Sequence, residues 1–153
     1  MPNLAGWPAL VLRANRAVGR AVVAELLVSG ADVLAADTDT GVLEIGVLSR
    51  GTVTPIAVPD DATLVATAAI MLRGTASRSA LLVSCGPAET AVEVLALVPG
   101  FQGGVVLVRE PGEPVDLGLR LNVVVAEPGR PEQVARSVIA FVSPAVAGAS
   151  PVR

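Results

Sequence analysis

The sequence lacks three residue types that carry much of enzyme chemistry. It has no His and no Tyr, and its 11 basic residues are all Arg, so Lys is absent as well. These absences exclude an imidazole base, the usual imidazole ligand of zinc, a phenolic acid and a Schiff-base amine. Any catalysis by this chain alone must depend on carboxylates, Arg, Ser, Thr or one thiol.

Cysteine and positive charge are also scarce. Cys85 is the single cysteine, which excludes a disulfide within the chain. The net charge is -3 and the arginines are scattered singly, so no basic face for nucleic acid is indicated. No apolar run is long enough to cross a bilayer and no basic leader opens the chain, so we expect a cytoplasmic protein without a membrane partner.

What the sequence does contain is typical of one globular domain. It has 153 residues, of which 52% are hydrophobic and 16% are charged. That length holds one sizeable core and leaves little room for a second, so we expect a single domain over 1–153. The terminal segment SPAVAGASPVR is rich in Pro, Ala and Gly, and its last residues are expected to be loose.

Short apolar runs rich in Val and Leu alternate with helical stretches, which is typical of buried parallel strands joined by helices. The pattern predicts six strands, at Ala9–Arg13, Asp32–Ala36, Thr52–Val58, Ser79–Ser84, Gly104–Arg109 and Leu119–Ala126. Strand–helix alternation with right-handed crossovers predicts the α/β class, with a doubly wound, Rossmann-like parallel sheet.

Four helices are predicted from spacing and end signals. The first buries Val18, Val22, Leu26 and Leu27 and stops at Ser29-Gly30. The second begins at Asp60 or Asp61 and runs through Leu72, with Leu64, Ala68 and Met71 or Leu72 inward. The third covers Ala88–Val98 and carries Val92 and Leu95, and the last begins at Pro131 and buries Val134, Val138 and Ile139. The supporting signals are helical spacing, an acidic N-cap, Gly after a helix end and Pro in a first turn.

Four segments, in order, resemble the short-chain dehydrogenases/reductases, which are NAD(P)-dependent oxidoreductases with a Rossmann fold. LAGWPALVLRANRAVGRAVVAELLVSGADVLAADTD resembles their first βαβ unit, and IAVPDDATL resembles the Asp motif of their third strand. ALLVSCGPAE stands where the family's fourth strand ends in Asn-Asn-Ala-Gly, and GLRLNVVVAEPGRPEQVARSVIAFVSPAVAG resembles the sixth strand, the turn after it and a downstream helix. The resemblance covers nearly the whole chain and implies a truncated, degenerate member of that family.

The family's Thr-Gly-x-x-x-Gly-x-Gly turn is largely replaced. At Leu12 to Gly19 the sequence reads LRANRAVG, in which only Gly19 is kept, the glycine that lets helix and strand pack closely. Arg13 and Ala17 replace the other two glycines. If the turn keeps its geometry, a Cβ at the left-handed position of Arg13 costs about 1–2 kcal/mol. Arg13 either pairs with a phosphate or has been released from cofactor binding and reaches solvent or a neighbouring carboxylate.

The resemblance assigns the remnants of a cofactor site to Arg13, Asn15, Gly19, Asp37 and Asp60. Asp37 ends the second strand where the family holds the adenosine ribose, and it would favour NAD over NADP. The alternative for Asp37 is ordinary turn chemistry, and for Asp60 a helix cap. Cys85 is expected to be a small buried apolar residue rather than a nucleophile.

The family's catalytic residues have no counterpart. The Tyr-x-x-x-Lys motif cannot exist in this chain, and the segment Gly112 to Asp116 is too short for the long helix that carries it. The nearby carboxylates of Glu110, Glu113 and Asp116, like the pair Asp60 and Asp61, could bind a cation or transfer protons. A solvated acidic surface loop explains the first group better, so we predict neither a metal site nor catalytic residues.

These observations favour a non-catalytic protein that acts as a binding or structural subunit without a cofactor. Loss of two family helices is expected to leave an apolar patch on one side of the sheet, and hence a homo-oligomer or a complex with an intact reductase of the same fold. One alternative is an NAD(P)-dependent oxidoreductase that retains its cofactor and uses non-standard or partner-supplied residues. Another is a nucleotide sensor that keeps a pocket at Asp37 without chemistry.

Overall fold

The computed structural model describes residues 4–48, 52–74, 80–86, 88–101, 103–109, 122–125 and 131–149. In these residues the strands are β1 (Pro8–Leu12), β2 (Asp32–Asp37), β3 (Thr52–Ala57), β4 (Leu81–Ser84), β5 (Gly104–Arg109) and β6 (Asn122–Val125). The helices are α1 (Ala17–Val28), α2 (Asp61–Gly74), α3 (Ala88–Ala96) and α4 (Pro131–Ala149), and a 3₁₀ segment covers Thr40–Leu48.

The strands form one parallel sheet in the order β3-β2-β1-β4-β5-β6. This is the doubly wound order, in which the chain moves outward from β1 in one direction and then in the other. The sequence β1 PALVL is almost wholly apolar because a central strand is covered on both faces. The predicted α/β class, the parallel sheet and the strand number are confirmed.

Two apolar cores lie on opposite faces of the sheet. One contains Val22 and Leu26 of α1 together with Val134 and Val138 of α4. The other contains Leu64 and Leu72 of α2, Val94 of α3 and the sheet residues Leu10 and Leu82. Alternate residues of β1, β2 and β4 belong to alternate cores, which is why these strands read as nearly continuous apolar runs.

One helix differs from the sequence prediction in the face that it buries. In α3 the buried side chains are Ala91 and Val94, whereas Val92 is only half buried, because the helix turns a different stripe toward the sheet. Helix α4 continues through Pro144 to Ala149, and the last residues of the chain, 150–153, which were predicted to be loose, lie outside the described residues. The alanines of this stretch favour the helix. None of the described helices combines the length and the apolar character needed to cross a membrane.

The connection from β2 to β3 is an element that the sequence pattern did not indicate. A 3₁₀ helix covers Thr40–Leu48, and it begins directly after the acidic turn that follows β2. The turn residues Asp39 and Gly41 start it, since the Gly41 N–H donates to Asp39 Oδ1 over 2.8 Å. The segment lies on the same side of the sheet as α1, where its Val42 is buried in the first core.

The expected bare patch on one side of the sheet is not found on β5. Val105 and Leu107 share that side, and they are only 9% and 2% exposed. Val105 belongs to the core beneath α2 and α3, and α3 packs against both β4 and β5. The predicted acidic loop at Glu110, Glu113 and Asp116 lies outside the described residues.

Strand β3 forms one edge of the sheet and contains a proline. Pro55 is the partner of Ala35 in the parallel register with β2. Proline has no N–H to donate, so a strand that contains it is tolerated at a sheet edge with that position facing outward.

Candidate functional site

The candidate site lies at the carboxyl end of β1, where the strand order reverses. The chain leaves β1 with β2 on one side and β4 on the other, so the turn of residues 13–16 stands above the crevice between them. In open α/β sheets this switch point is the place where ligands bind. The side chains that occupy this crevice decide whether it has room for a ligand.

Arg13 holds the backbone of this turn in a left-handed conformation. Its φ is 61°, and among the described residues it is the one non-glycine with a positive φ. The Cβ of an L-residue there costs about 1–2 kcal/mol relative to the ordinary helical region. The turn has therefore kept the conformation that a glycine would favour, although an arginine occupies it.

The side chain of Arg13 crosses the crevice and is only 10% exposed. One guanidinium nitrogen donates to Thr38 Oγ1 over 3.2 Å and lies 3.9 Å from Asp37 Oδ1. The other nitrogen donates to Asp61 Oδ1, a carboxylate at the start of α2 that is itself 72% exposed. Arg13 therefore joins the ends of β1 and β2 to the start of α2.

The aliphatic part of Arg13 lies against the end of β4. A Cβ added to Gly86 would lie 2.7 Å from Arg13 Cγ, so the two residues share one space. The Nε of Arg13 and the nearby Ser84 hydroxyl are buried without a hydrogen-bond partner among the described residues. The side chain thus touches the ends of the strands on both sides of the switch point.

Asp37 has internal partners for both carboxylate oxygens. Its Oδ2 accepts a hydrogen bond of 2.9 Å from the backbone N–H of Asn15, and its Oδ1 accepts from the N–H of Thr38 over 2.7 Å and of Asp39 over 3.4 Å. The residue is 4% exposed. The arrangement is that of a turn-stabilising aspartate, with Arg13 as its nearest charge.

Asn15 ties this turn to the 3₁₀ segment through Arg20. The Nε of Arg20 donates to Asn15 Oδ1 over 3.1 Å, its NH2 donates to the same oxygen, and NH2 also donates to the Gly41 carbonyl over 3.1 Å. The Asn15 amide lies so close to Gly41 that a Cβ there would be 2.7 Å from Nδ2. The backbone N–H of Gly41, with help from Asn15, lowers the pKa of the Asp39 carboxyl below its ordinary value.

Gly19 sits at the closest approach of α1 to the turn. A Cβ on Gly19 would lie 2.4 Å from the carbonyl oxygen of Arg13 and 2.7 Å from Ala14 Cα. No side chain fits in that space. The N-cap of α1, Arg16, makes no side-chain capping bond, so the first N–H groups of this helix have no side-chain acceptor there.

Asp60 caps helix α2. Its Oδ1 accepts a hydrogen bond of 2.7 Å from the N–H of Thr63, and this bond lowers the pKa of the Asp60 carboxyl below 3.8. The residue that reaches the crevice is its neighbour Asp61, which the sequence indicated only as a possible helix start and as part of an acidic pair. Thr38 was not identified either, because a lone hydroxyl in a turn carries no specific signal.

The Cys85 thiol beside the site is held in its neutral form. Burial raises the pKa of the Cys85 thiol to about 12, against the opposing effect of the Arg16 charge, so the thiol stays neutral. Guanidinium groups donate hydrogen bonds and do not act as bases. In the described residues no cluster of three potential metal ligands is present. The arrangement holds the turn together and neutralises buried charge.

The five residues that the resemblance assigned to cofactor binding therefore all lie at or beside the switch point. Arg13, Asn15 and Asp37 contact one another directly or through backbone groups, Gly19 packs beneath Arg13, and Asp60 stands next to Asp61. Their assignment as cofactor ligands stays a prediction. Each of them has a partner or a packing role within the chain itself.

This strand order and switch-point turn define the class of fold as Rossmann. No model of a known protein family matches the sequence, and no curated protein matches it. Solved structures do match. BdcA (YjgI) from E. coli is 16% identical with a TM-score of 0.68, and the match covers 95% of each chain.

Two further solved structures agree with that match. A metagenomic short-chain oxidoreductase in complex with NADP is 16% identical with a TM-score of 0.63, and 92% of each chain is covered. An uncharacterized protein from Mycobacterium paratuberculosis is 18% identical with a TM-score of 0.57, over 72% of this chain and 48% of that one. At such identities the likeness establishes the fold. The chain has a Rossmann fold like that of the short-chain oxidoreductases.

Proposed function

We propose that this chain is a non-catalytic protein with a short-chain dehydrogenase/reductase-like fold, and that it acts as a binding or structural subunit. Its partner is a second copy of itself or an intact reductase of the same fold. The observation that carries the proposal is the position of the Arg13 side chain. It lies buried across the crevice in which a Rossmann protein would hold its nucleotide.

The contacts of Arg13 support a protein that functions without a cofactor. Its guanidinium donates hydrogen bonds to Thr38 and Asp61 and lies beside Asp37, so the acidic group suited to a ribose already faces an internal cation. Its aliphatic carbons fill the space over Gly86. A nucleotide would have to displace a side chain that is nine-tenths buried.

The composition supports the absence of catalysis. The chain contains no His, Tyr or Lys, and its one thiol is buried at Cys85. Hydride transfer to a carbonyl needs a group that gives a proton to the developing alkoxide, and His, Tyr and Lys, which commonly serve in proton transfer, are absent from the sequence.

The alternative is an NAD(P)-dependent oxidoreductase whose missing groups come from a partner. Two observations favour it. The structurally similar metagenomic oxidoreductase was determined with NADP, and the uncapped N-terminus of α1 at Arg16 points to the switch point. A helix N-terminus of this kind is where Rossmann proteins hold the pyrophosphate.

Titration with NADH and with NADPH separates the two functions. We expect no saturable heat or change in Trp7 fluorescence for the wild-type protein up to about 1 mM nucleotide, the upper end of ordinary Michaelis constants. Saturable micromolar binding by the wild type would contradict the proposal, and turnover with a carbonyl substrate would establish the oxidoreductase. Weakening of such binding in Asp37→Ala, without turnover, would identify a sensor.

Two variants sharpen the titration. Arg13→Gly removes the side chain that fills the crevice and supplies the residue best suited to φ 61°. Binding that appears in Arg13→Gly and is absent in the wild type would identify Arg13 as the obstacle. Arg136→Ala, which removes an exposed arginine of α4, is the matched control for loss of one positive charge.

A further inference from the structure

A groove of about 510 Å³ lies on the surface between α1 and the 3₁₀ segment, away from the switch-point crevice. It is lined by Arg20, Val23, Ala24, Leu27, Val28, Glu44 and Ile45. Its floor is apolar, since Val23 and Leu27 are 1% and 9% exposed and belong to the core. We call it the α1 groove.

The α1 groove lies beside the 3₁₀ segment that connects β2 and β3. On this side of the sheet α1 packs against α4, and the groove is lined by α1 together with Glu44 and Ile45 of the 3₁₀ segment. Three residues per turn make that segment narrower than an α-helix.

One large apolar side chain stands exposed at the α1 groove. Val28 lines it and is 65% exposed. It is a side chain that could fill an apolar groove, and it belongs to the surface that contains one. An interface with two-fold symmetry requires this combination, because the same patch must supply both the knob and the hole.

The charges at the α1 groove are also complementary to themselves. Arg20 and Glu44 line it, lie 3.9 Å apart and are 43% and 78% exposed. A two-fold axis close to this pair places each charge beside its opposite in the second copy. Arg20 already donates to Asn15 and Gly41, so the groove is poorly suited to a small anionic ligand.

From the groove, its exposed apolar rim and its paired charges, we infer that the α1 groove is the surface through which two copies of this chain form a symmetric dimer. The inference rests on the proposed function in one respect, that the chain acts by association. The experiment that tests the dimer measures oligomeric state, whereas the nucleotide titration tests the proposed function. The dimer and the proposed function can therefore fail separately.

Sedimentation velocity over about 1 µM to 1 mM protein, the range of weak to moderate interfaces, tests the dimer. We expect the wild type to pass from monomer to dimer as concentration rises. Val28→Asp places a charge on the rim and should raise the dimer Kd at least about tenfold, as truncation of an interface anchor does. Ile70→Asp is the matched control, since Ile70 is 64% exposed on α2, across the sheet, and its Kd should equal that of the wild type.

Charge reversal gives a second test that does not depend on an aspartate in an apolar rim. Glu44→Arg places like charges together across the two-fold axis and should weaken association most strongly at low salt. Glu93→Arg, an exposed position on α3, should leave association unchanged. Far-UV circular dichroism and the melting temperature of each variant establish that it is folded.

Three outcomes would overturn the inference. One is a wild-type protein that remains monomeric over the whole concentration range. A monomer that binds a different protein through this groove counts as the same outcome. Another is a dimer whose Kd is unchanged by both Val28→Asp and Glu44→Arg. The third is a dimer weakened by Ile70→Asp and not by the groove variants.

Discussion

Arg13 and Gly86 occupy the same space at the carboxyl ends of β1 and β4: a Cβ on Gly86 would lie 2.7 Å from Arg13 Cγ. Position 86 therefore has no room for a side chain while Arg13 fills the space beside it. Gly86→Ala should lower the free energy of unfolding by about 1–3 kcal/mol through overpacking. In an Arg13→Ala background the same change should cost much less, because the clashing carbons are gone. A double-mutant cycle by urea denaturation measures this coupling, and additive effects would contradict it.

The left-handed backbone of Arg13 gives a second prediction. Arg13→Ala and Arg13→Gly both remove the contacts of the guanidinium, but only glycine also relieves the strain at φ 61°. Arg13→Gly should therefore be about 1 kcal/mol more stable than Arg13→Ala. Thermal and urea denaturation of the two variants check the difference. An alanine variant as stable as the glycine variant would show that the turn does not keep this conformation.

Gly19 should tolerate no side chain. The Cβ of Gly19→Ala would meet the Arg13 carbonyl oxygen at 2.4 Å, and neither the helix nor the turn can withdraw cheaply. We expect a loss of about 3 kcal/mol in the free energy of unfolding. Gly74→Ala is the control, because nothing lies within 4 Å of a Cβ there. That variant, at the end of α2, should match the wild type or gain a few tenths of a kcal/mol.

Much of the fold and part of the site could be predicted from the sequence. The run of Val11 and Leu12 followed by a helix with Val22 and Leu26 inward fixes a strand, a turn and a helix, since burial on both faces or one face sets the spacing of apolar residues. Gly19 could be assigned to close packing because its spacing from the strand matches a known turn. The 3₁₀ segment could not be predicted, because its apolar residues Val42, Leu43 and Ile45 fit neither helical nor strand spacing clearly.

The hydrogen-bond partners of the Arg13 side chain could not be predicted from the sequence. Its position in the turn indicated a side chain near the crevice, with a phosphate, solvent or a carboxylate as alternatives. The choice of Asp61 and Thr38 as its acceptors depends on how α2 and β2 are placed beside β1, which is a tertiary property. Asp60 was the more conspicuous residue by resemblance, yet it caps its helix and its neighbour makes the contact.

The cap of α2 should make stability depend on acid pH. The hydrogen bond from Thr63 lowers the pKa of Asp60 below 3.8 in the folded protein, so the carboxylate stabilises the fold above its unfolded pKa. That contribution is lost as pH falls through the lower folded pKa. Asp60→Asn keeps a capping oxygen and removes the titration, so its stability should fall less than that of the wild type below about pH 4. Parallel curves for the two proteins from pH 2 to pH 6 would contradict this prediction.

Cys85 should be unreactive in the folded protein. Burial raises its pKa to about 12, and a neutral thiol is a poor nucleophile. Ellman's reagent at pH 8 should leave the native protein unlabelled and label it fully in denaturant. Because the unfolded thiol ionises near pH 9 and the folded thiol near 12, this residue also lowers stability as pH rises between those values. Rapid labelling without denaturant would show that the thiol is accessible.

Pro55 lies in the edge strand β3, where it affects whether another strand can pair with this edge of the sheet. The outer edge of a sheet normally offers a row of backbone donors on which another strand can assemble, and that is the first step toward fibres. A proline interrupts the row at the middle of β3. Open-ended stacking of strands along this edge of the sheet is thereby disfavoured.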